Sequence, residues 1–194
     1  DALPIFAKTA LSGGTDVCFC DSYYTSPVST TGYFSMNSSA TNSGGWASSQ
    51  MRTNICGTSL SSYSGTIIAV IPAALRAVLK SVTKYTDNTG NNSTSASAVT
   101  ATKDYFFLLS EFEVFGSISR ANSNEASKQA QYAYYSAGNS KVKYKHNGTS
   151  TAARWWLRSP LASSSDGFEN VNTNGTVEDR TARASFGFPP GFYV

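Results

Sequence analysis

Trp155-Trp156-Leu157-Arg158-Ser159-Pro160 is the least random segment of the chain, and what it requires constrains everything around it. Adjacent Trp side chains on a strand point to opposite faces, so one fills the core while the other supports the neighbouring layer. Trp155, Trp156, Arg158 and Pro160 are therefore read as structural. From Trp155 onward the pattern is one of short strands and turns. Residues 168–172 and 176–179 flank Thr173-Asn174-Gly175, and Asn-Gly is the strongest short hairpin signal. The closing Gly187-Phe188-Pro189-Pro190-Gly191-Phe192-Tyr193-Val194 predicts an anchored aromatic strand reached through two prolines, not a tail.

Upstream, apolar and polar residues alternate through 16–24 and 32–36, as expected of strands. Asn42-Ser43-Gly44-Gly45 is turn chemistry, and Trp46, Gln50/Met51 and Ile55 are spaced for one face of a helix over 46–55 that Gly57 ends. A second helix is predicted over 66–80, with Ile68, Ile71, Leu75, Val78 and Leu79 as its buried stripe and Pro72 opening its last turns. Residues 86–102 are almost wholly Asp, Asn, Thr, Ser, Gly and Ala. A segment so poor in apolar surface is expected to be a mobile loop. Residues 105–109 fit a central strand, running into Ser110-Glu111-Phe112-Glu113, a capping-box pattern for a short helix to Phe115 closed by Gly116. A further helix is expected over 125–137.

With 194 residues, the chain is long enough for one well-buried core and short for two, so a single domain over 1–194 is expected. Eleven Tyr, eleven Phe and three Trp against 14% charged residues point to a sheet-rich α+β protein covered by Ser, Thr and Asn rather than by ion pairs. A net charge of +3 indicates no general affinity for nucleic acid or anionic membrane. No apolar stretch approaches the roughly 20 residues that span a bilayer, so membrane insertion is not expected. A start at Asp1 rather than Met predicts a processed chain or the C-terminal part of a longer protein.

Few residues suggest catalysis, and an enzyme is not expected. Cys18, Cys20 and Cys56 are too sparse for a disulfide framework and lack zinc spacing, so reduced, buried thiols are the default. His146 falls in a polar turn and reads as an exposed loop histidine. Glu111 and Glu113 are explained by the capping box and the helix dipole rather than as a glycosidase pair. Lys141, Lys143 and Lys145, alternating with Val142 and Tyr144, read as a solvated strand edge rather than a nucleic-acid strip. Asp166, Glu169, Asn170 and Asn172 are a dense oxygen supply, but no calcium-loop signature accompanies them, and neither metal nor cofactor is expected.

Gly44-Gly45-Trp46 with Gln50-Met51-Arg52-Thr53, Phe107-Leu108-Leu109-Ser110-Glu111, Tyr134-Tyr135 with Ala137-Gly138-Asn139, and the Trp155–Pro160 box occur in an order that resembles a known family. This is the domain of unknown function marked by a Trp-Trp-Leu-Arg-Ser-Pro box, found in gut bacteria and their phages, and the resemblance runs from about residue 33 onward. It implies a C-type-lectin-like fold similar to formylglycine-generating-enzyme domains, with short twisted antiparallel sheets and a few helices. Many members of that family are variable proteins of diversity-generating retroelements. Formylglycine-generating chemistry is not implied, because its cysteines lie late in the domain and all three here precede Gly57.

In such variable proteins, Asn codons of the AAC/AAT type between the Trp-Trp box and the last strand are randomised at their first two bases. The corresponding residues here are Leu161-Ala162-Ser163-Ser164-Ser165-Asp166 and Asp179-Arg180-Thr181-Ala182-Arg183-Ala184, all of types reachable from those codons. Glu169 and Glu178 are not reachable this way. The resemblance thus implies a binding face formed by Leu161, Ala162, Ser163, Ser164, Ser165, Asp166, Glu178, Asp179, Arg180, Thr181, Arg183 and Ala184, with Phe186 at its margin and Arg180 and Arg183 as energetic anchors. Its expected partner is a protein or glycan on a host or target cell, met from a phage virion or a bacterial cell surface. An enzyme-like relative of the fold and a purely structural virion part are the alternatives.

Overall fold

The computed structural model describes residues 17–18, 34–145 and 148–194. In chain order these form strand β1 (Val17–Cys18), helix α1 (Gly45–Ser48), a π-helical turn Met51–Cys56, helices α2 (Ile67–Val70) and α3 (Ala73–Val78), strands β2 (Val82–Asp87), β3 (Val99–Asp104) and β4 (Phe106–Phe107), helix α4 (Glu111–Phe115), a 3-10 segment Ser123–Lys128, helix α5 (Ala133–Ser136), and strands β5 (Lys143–Lys145), β6 (Gly148–Ala153), β7 (Trp155–Pro160), β8 (Gly167–Val171), β9 (Val177–Thr181) and β10 (Gly191–Phe192). The fold is mixed α and β, with four short sheets ordered β7-β8-β9, β2-β3, β10-β4 and β1-β5-β6. Among the described residues the strand pairings are antiparallel except that of β1 with β5, and an isolated bridge joins Trp155 to Gly187 in parallel.

Every residue of β7 is buried. The Trp156 indole donates to the Phe34 carbonyl and packs 4.7 Å from the Phe186 ring, while the Trp155 indole donates to the Lys141 carbonyl. Each ring therefore buries its apolar area with its one polar atom satisfied, which is the condition for placing Trp in a core. Around them pack Met36, Trp46, Met51, Ile68, Phe106, Phe107, Leu108, Leu109, Phe168, Val171 and Phe188.

Arg158 is also fully buried. Its Nε donates to Thr86 Oγ1 at 2.7 Å, its guanidinium reaches the carbonyls of Leu108 and Tyr85 at 2.8 and 3.2 Å, and it pairs with the Glu113 carboxylate. Glu113 is placed by its helix. The Ser110 hydroxyl accepts from the Glu113 amide and the Glu113 carboxylate accepts from the Ser110 amide, as the capping box predicts, and Gly116 closes the turn at φ +69°. The other Glu113 oxygen takes Lys84 Nζ at 3.0 Å. That ammonium lies 4.0 Å from the Phe107 ring centroid and hydrogen-bonds the Tyr132 hydroxyl. Strand β10 pairs with β4, so the last aromatic residues are anchored as expected, and Tyr193 completes the Lys84 surround.

Several expected elements take a different form. The helix over 46–55 breaks at Ser49, whose ψ of 142° is extended, and resumes as the π turn. The helix over 66–80 splits because Ile71 precedes Pro72 and is driven to an extended ψ of 153°. In consequence Val78 is exposed rather than in a buried stripe. The helix over 125–137 splits at Gln129, which adopts strand-like angles and spends its side-chain amide on the Tyr85 carbonyl and Glu125. The expected loop over 86–102 instead contributes the ends of the β2–β3 hairpin, with Thr86, Asp87 and Thr102 buried. Its polar side chains replace apolar burial by capping main-chain groups: Asp87 accepts from Thr89 and Gly90, and Asn122 bridges Asp87 to the Ser95 carbonyl. Lys143 is not at a solvated edge. Strand β5 lies between β1 and β6, and Lys143 is buried 5.0 Å from the Trp155 ring.

Cys56 is a free, buried thiol. Of the expected strands at 16–24 and 32–36, the described residues retain only the pair Val17–Cys18, and 34–36 are not strand. Cys20, His146 and Asn147 lie outside the described residues.

Replacing Arg158 by Lys keeps a charge but loses the fork that serves Thr86, two carbonyls and Glu113 together. Breaking a buried, hydrogen-bonded pair costs about 3–5 kcal/mol. The expected result is a fall of about 10 °C or more in Tm by calorimetry; a variant melting with the parent would remove Arg158 from this role.

Candidate ligand-binding face

The β8–β9 hairpin turns as Asn-Gly requires. Gly175 sits at φ +84°, its amide bonds the Asn172 carbonyl at 2.9 Å, and the Asn172 amide bonds the Thr176 carbonyl at 2.8 Å. The register pairs Val171 with Val177, Glu169 with Asp179 and Gly167 with Thr181 on one face, and Phe168 with Arg180 and Asn170 with Glu178 on the other.

Both segments expected to form the binding face attach to this hairpin. The Ala182 amide bonds the Asp166 carbonyl at 2.8 Å, so the end of one segment is hydrogen-bonded to the other. Buried Asn42 holds the first. Its amide nitrogen donates to the carbonyls of Leu161, Ser164 and Gly167 at 3.3, 2.8 and 2.9 Å, and its main-chain amide bonds the Ser165 carbonyl. Gly90 lies so close beneath that a Cβ there would sit 2.0 Å from the Asn42 carbonyl oxygen. A depression of about 560 Å³ is lined by Ser119, Arg120, Ala121, Ala162, Ser163 and Val177. Arg120 crosses to Asp179 in an ion pair, so the loop 119–121, the first segment and β9 share one concavity.

Within these segments Ser163, Ser165, Asp166 and Arg183 are exposed, and Ala162, Ser164, Glu178, Asp179, Arg180 and Thr181 are half-buried. Leu161, Ala184 and Phe186 are buried, a correction to their expected exposure, and so is Ala182. Leu161 is bridged to Ala121, the Ala182 amide is tied to the Asp166 carbonyl and the Ala184 amide to the Thr181 carbonyl, and Phe186 packs against Trp156. Arg180 is tied to Glu178 at 3.4 Å, and Glu178 also pairs with Arg154. Arg183 is exposed, whereas Arg180 is half-buried and held by Glu178. Sequence reasoning missed Asn42, read there only as turn chemistry, and Arg120, which no motif marks.

A family model described as a domain of unknown function, DUF6273, matches residues 25–194. The chain belongs to this family. No curated protein and no solved structure matches it. Among the described residues of this DUF6273 chain, no helix is long and apolar enough to cross a membrane, and no group of three His, Cys, Asp or Glu could hold a metal ion. Asp166, Glu169, Asn170 and Asn172 do not converge, because Asp166 is exposed on the loop while Glu169 and Asn170 are buried on opposite faces of β8.

The DUF6273 chain also buries Glu111, Glu113, Glu125 and Glu169. Burial pushes the Glu113 carboxyl up, but the Arg158 guanidinium and the Lys84 ammonium outweigh it and bring its pKa to about 2. Glu125 has no such cation in contact; it accepts from the Asp87 amide and the Ser159 hydroxyl, and burial raises it to about 7. Burial, and after it the Glu111 carboxylate, push the Glu169 carboxyl well above the ordinary carboxylate range. Neither oxygen of Glu169, nor either polar atom of the Asn170 side chain, has a hydrogen-bond partner among the described residues.

A carboxyl whose pKa is raised on folding binds its proton more tightly in the native state, so stability falls as pH rises from its unfolded value near 4.5 through its folded value. For Glu125 that window is pH 4.5 to about 7, a decline of about 3 kcal/mol. Glu113 works in reverse and is felt only below about pH 4.5. Urea midpoints are expected to be higher at pH 5 than at pH 8, with Glu125→Gln reducing the difference; an unchanged difference in that variant would assign the slope to other groups. Asn42→Asp sets a carboxylate against three carbonyls, and is expected to cost at least about 3 kcal/mol in the same measurement.

Proposed function

We propose that this is a non-catalytic ligand-binding display domain: a C-type-lectin-like variable protein of a diversity-generating retroelement, carried on a phage particle or bacterial surface, that binds a protein or glycan of a host or target cell. The observation that carries this reading is how the 161–167 loop is held. Asn42 bonds it only through main-chain carbonyls, of Leu161, Ser164, Ser165 and Gly167. A clamp of that kind does not depend on the identity of the side chains it displays, so Ser163, Ser165 and Asp166 can change without loss of the loop. The second segment is held likewise, by the β8 ladder and by the Ala182 amide on the Asp166 carbonyl. Meanwhile Phe168, Val171 and the Trp155–Pro160 strand keep the frame packed. Surface changes outside special positions stay within about 0.5 kcal/mol each, so affinity can be retuned on a constant fold.

A variant combining Ser163→Ala, Ser165→Ala, Asp166→Ser, Asp179→Ser, Arg180→Ser and Arg183→Ser, which leaves the buried Leu161, Ala184 and Phe186 untouched, tests this. Labelled parent chain is expected to bind members of a panel of gut-bacterial cells or a glycan array, and the variant to lose that binding while keeping Tm within a few degrees. Equal binding by the two proteins would overturn the assignment of the face. A near-identical template repeat and a reverse transcriptase gene beside the coding gene are the expected genomic signature of the retroelement.

A further inference from the structure

We propose that the depression between the 119–121 loop and β9 is a subsite for a sugar acid, a pyranose bearing a carboxylate, and that Arg120 is the residue that reads the carboxylate. The subsite deepens the binding function proposed above, on which it rests, by narrowing its ligand from protein or glycan to an acidic glycan.

Arg120 carries an unspent recognition edge. Asp179 takes only Nη1 of its guanidinium, and Nε and Nη2 have no hydrogen-bond partner among the described residues. Those two nitrogens form the edge that meets a carboxylate through two parallel bonds, a geometry that an ammonium does not offer. The Arg120 side chain is 41% exposed, so a ligand reaches it without opening the core.

The wall that bears Arg120 is fixed before any ligand arrives. The buried Glu111 carboxylate accepts from the Ser119 amide and hydroxyl at 2.8 and 2.7 Å, and from the amides of Arg120 and Ala121 at 3.2 and 3.0 Å. The Arg120 carbonyl accepts from the Ala162 amide at 3.0 Å, and Ala121 bridges to Leu161. A wall held in this way has little ordering entropy left to lose on binding.

The rest of the lining suits a sugar ring better than an acidic side chain. At about 560 Å³ the depression falls in the range of small-molecule sites and is far larger than one Asp or Glu side chain fills. Ala121, Ala162 and Val177 present methyl surface to the C–H face of a pyranose. The exposed Ser163 hydroxyl, without a hydrogen-bond partner among the described residues, both donates to and accepts from a ring hydroxyl. Val177 and Asp179 are two apart on β9 and share a face, which sets this methyl surface beside the Arg120 clamp. Glu178 and Arg180 leave β9 from the opposite face, paired with each other. Of the acids on the near face, Asp179 is neutralised by Arg120 itself. Glu169, across from it on β8, is fully buried, where the uncharged form is favoured.

The test is a nitrogen-15 NMR titration of the full chain with N-acetylneuraminic acid and glucuronic acid, run beside glucose, acetate and an aspartate-containing tripeptide, each into the tens of millimolar. At least one sugar acid is expected to shift the amides of the lining residues and to saturate. Arg120→Gln is expected to weaken that binding about tenfold or more, and Arg120→Lys, which keeps the charge and loses the edge, to weaken it as well. Lys103→Gln makes the same charge change on β3, outside the lining, and is expected to bind as the parent does. No saturable shift with either sugar acid would overturn the proposal, as would undiminished binding by Arg120→Gln. Glucose binding as tightly as the sugar acids would remove the carboxylate from recognition, and acetate or the tripeptide doing so would remove the sugar. Cell and array binding is read separately in the multiple variant, where Arg120 is unchanged, so failure of the subsite leaves the binding face to its own assay.

Discussion

A single buried cation ties together elements that the chain delivers far apart. Arg158 comes from β7, Thr86 and Tyr85 from β2, Leu108 from the segment after β4, and Glu113 from α4, and all meet at one guanidinium. The geometry is over-determined: the five-donor fork fits these acceptors only if four elements are already in register. A buried ion pair adds little net stability against a well-packed apolar alternative, but it penalises every arrangement in which one partner is missing. The sheets here are short and few residues form regular helix, so such a penalty does much to select this arrangement over its neighbours.

The parts legible in the sequence were those whose physics is local. The capping box at Ser110 and Glu113, the Asn-Gly hairpin between β8 and β9, and the anchoring of residues 187–194 follow from a few adjacent residues and were found as expected. The misread parts were decided at a distance. Gln129 leaves a helical pattern because the Tyr85 carbonyl, remote in sequence, takes its amide. Residues 86–102 lack apolar surface, yet they are ordered by Asp87, Asn122 and Asn124, whose bonds to main-chain groups do not register in hydrophobicity. Lys143 looked like an edge residue because alternation reports a face and not what covers it.

The candidate face divides along the same line. Codon-reachable residues located both segments, and the structure brings them together, but reachability does not distinguish an outward side chain from an inward one. Leu161, Ala184 and Phe186 belong to the packing that supports the face. Asn42 and Arg120 were invisible because each acts through partners more than fifty residues away. Glu169 was singled out as one of four oxygen donors near a turn and as a residue that the codon rule cannot produce, and the structure buries it on β8, apart from the exposed Asp166.

Cys56 has a use that its packing alone does not suggest. Thiol reagents attack the thiolate, and burial together with the nearby Asp104 carboxylate pushes this thiol well above its ordinary pKa, away from the reactive form. The side chain is fully enclosed in the core cluster. A labelling reagent therefore gains access to Cys56 only as fast as that part of the core opens. The sulfur is a clock for opening of the native state, already installed and needing no engineered probe.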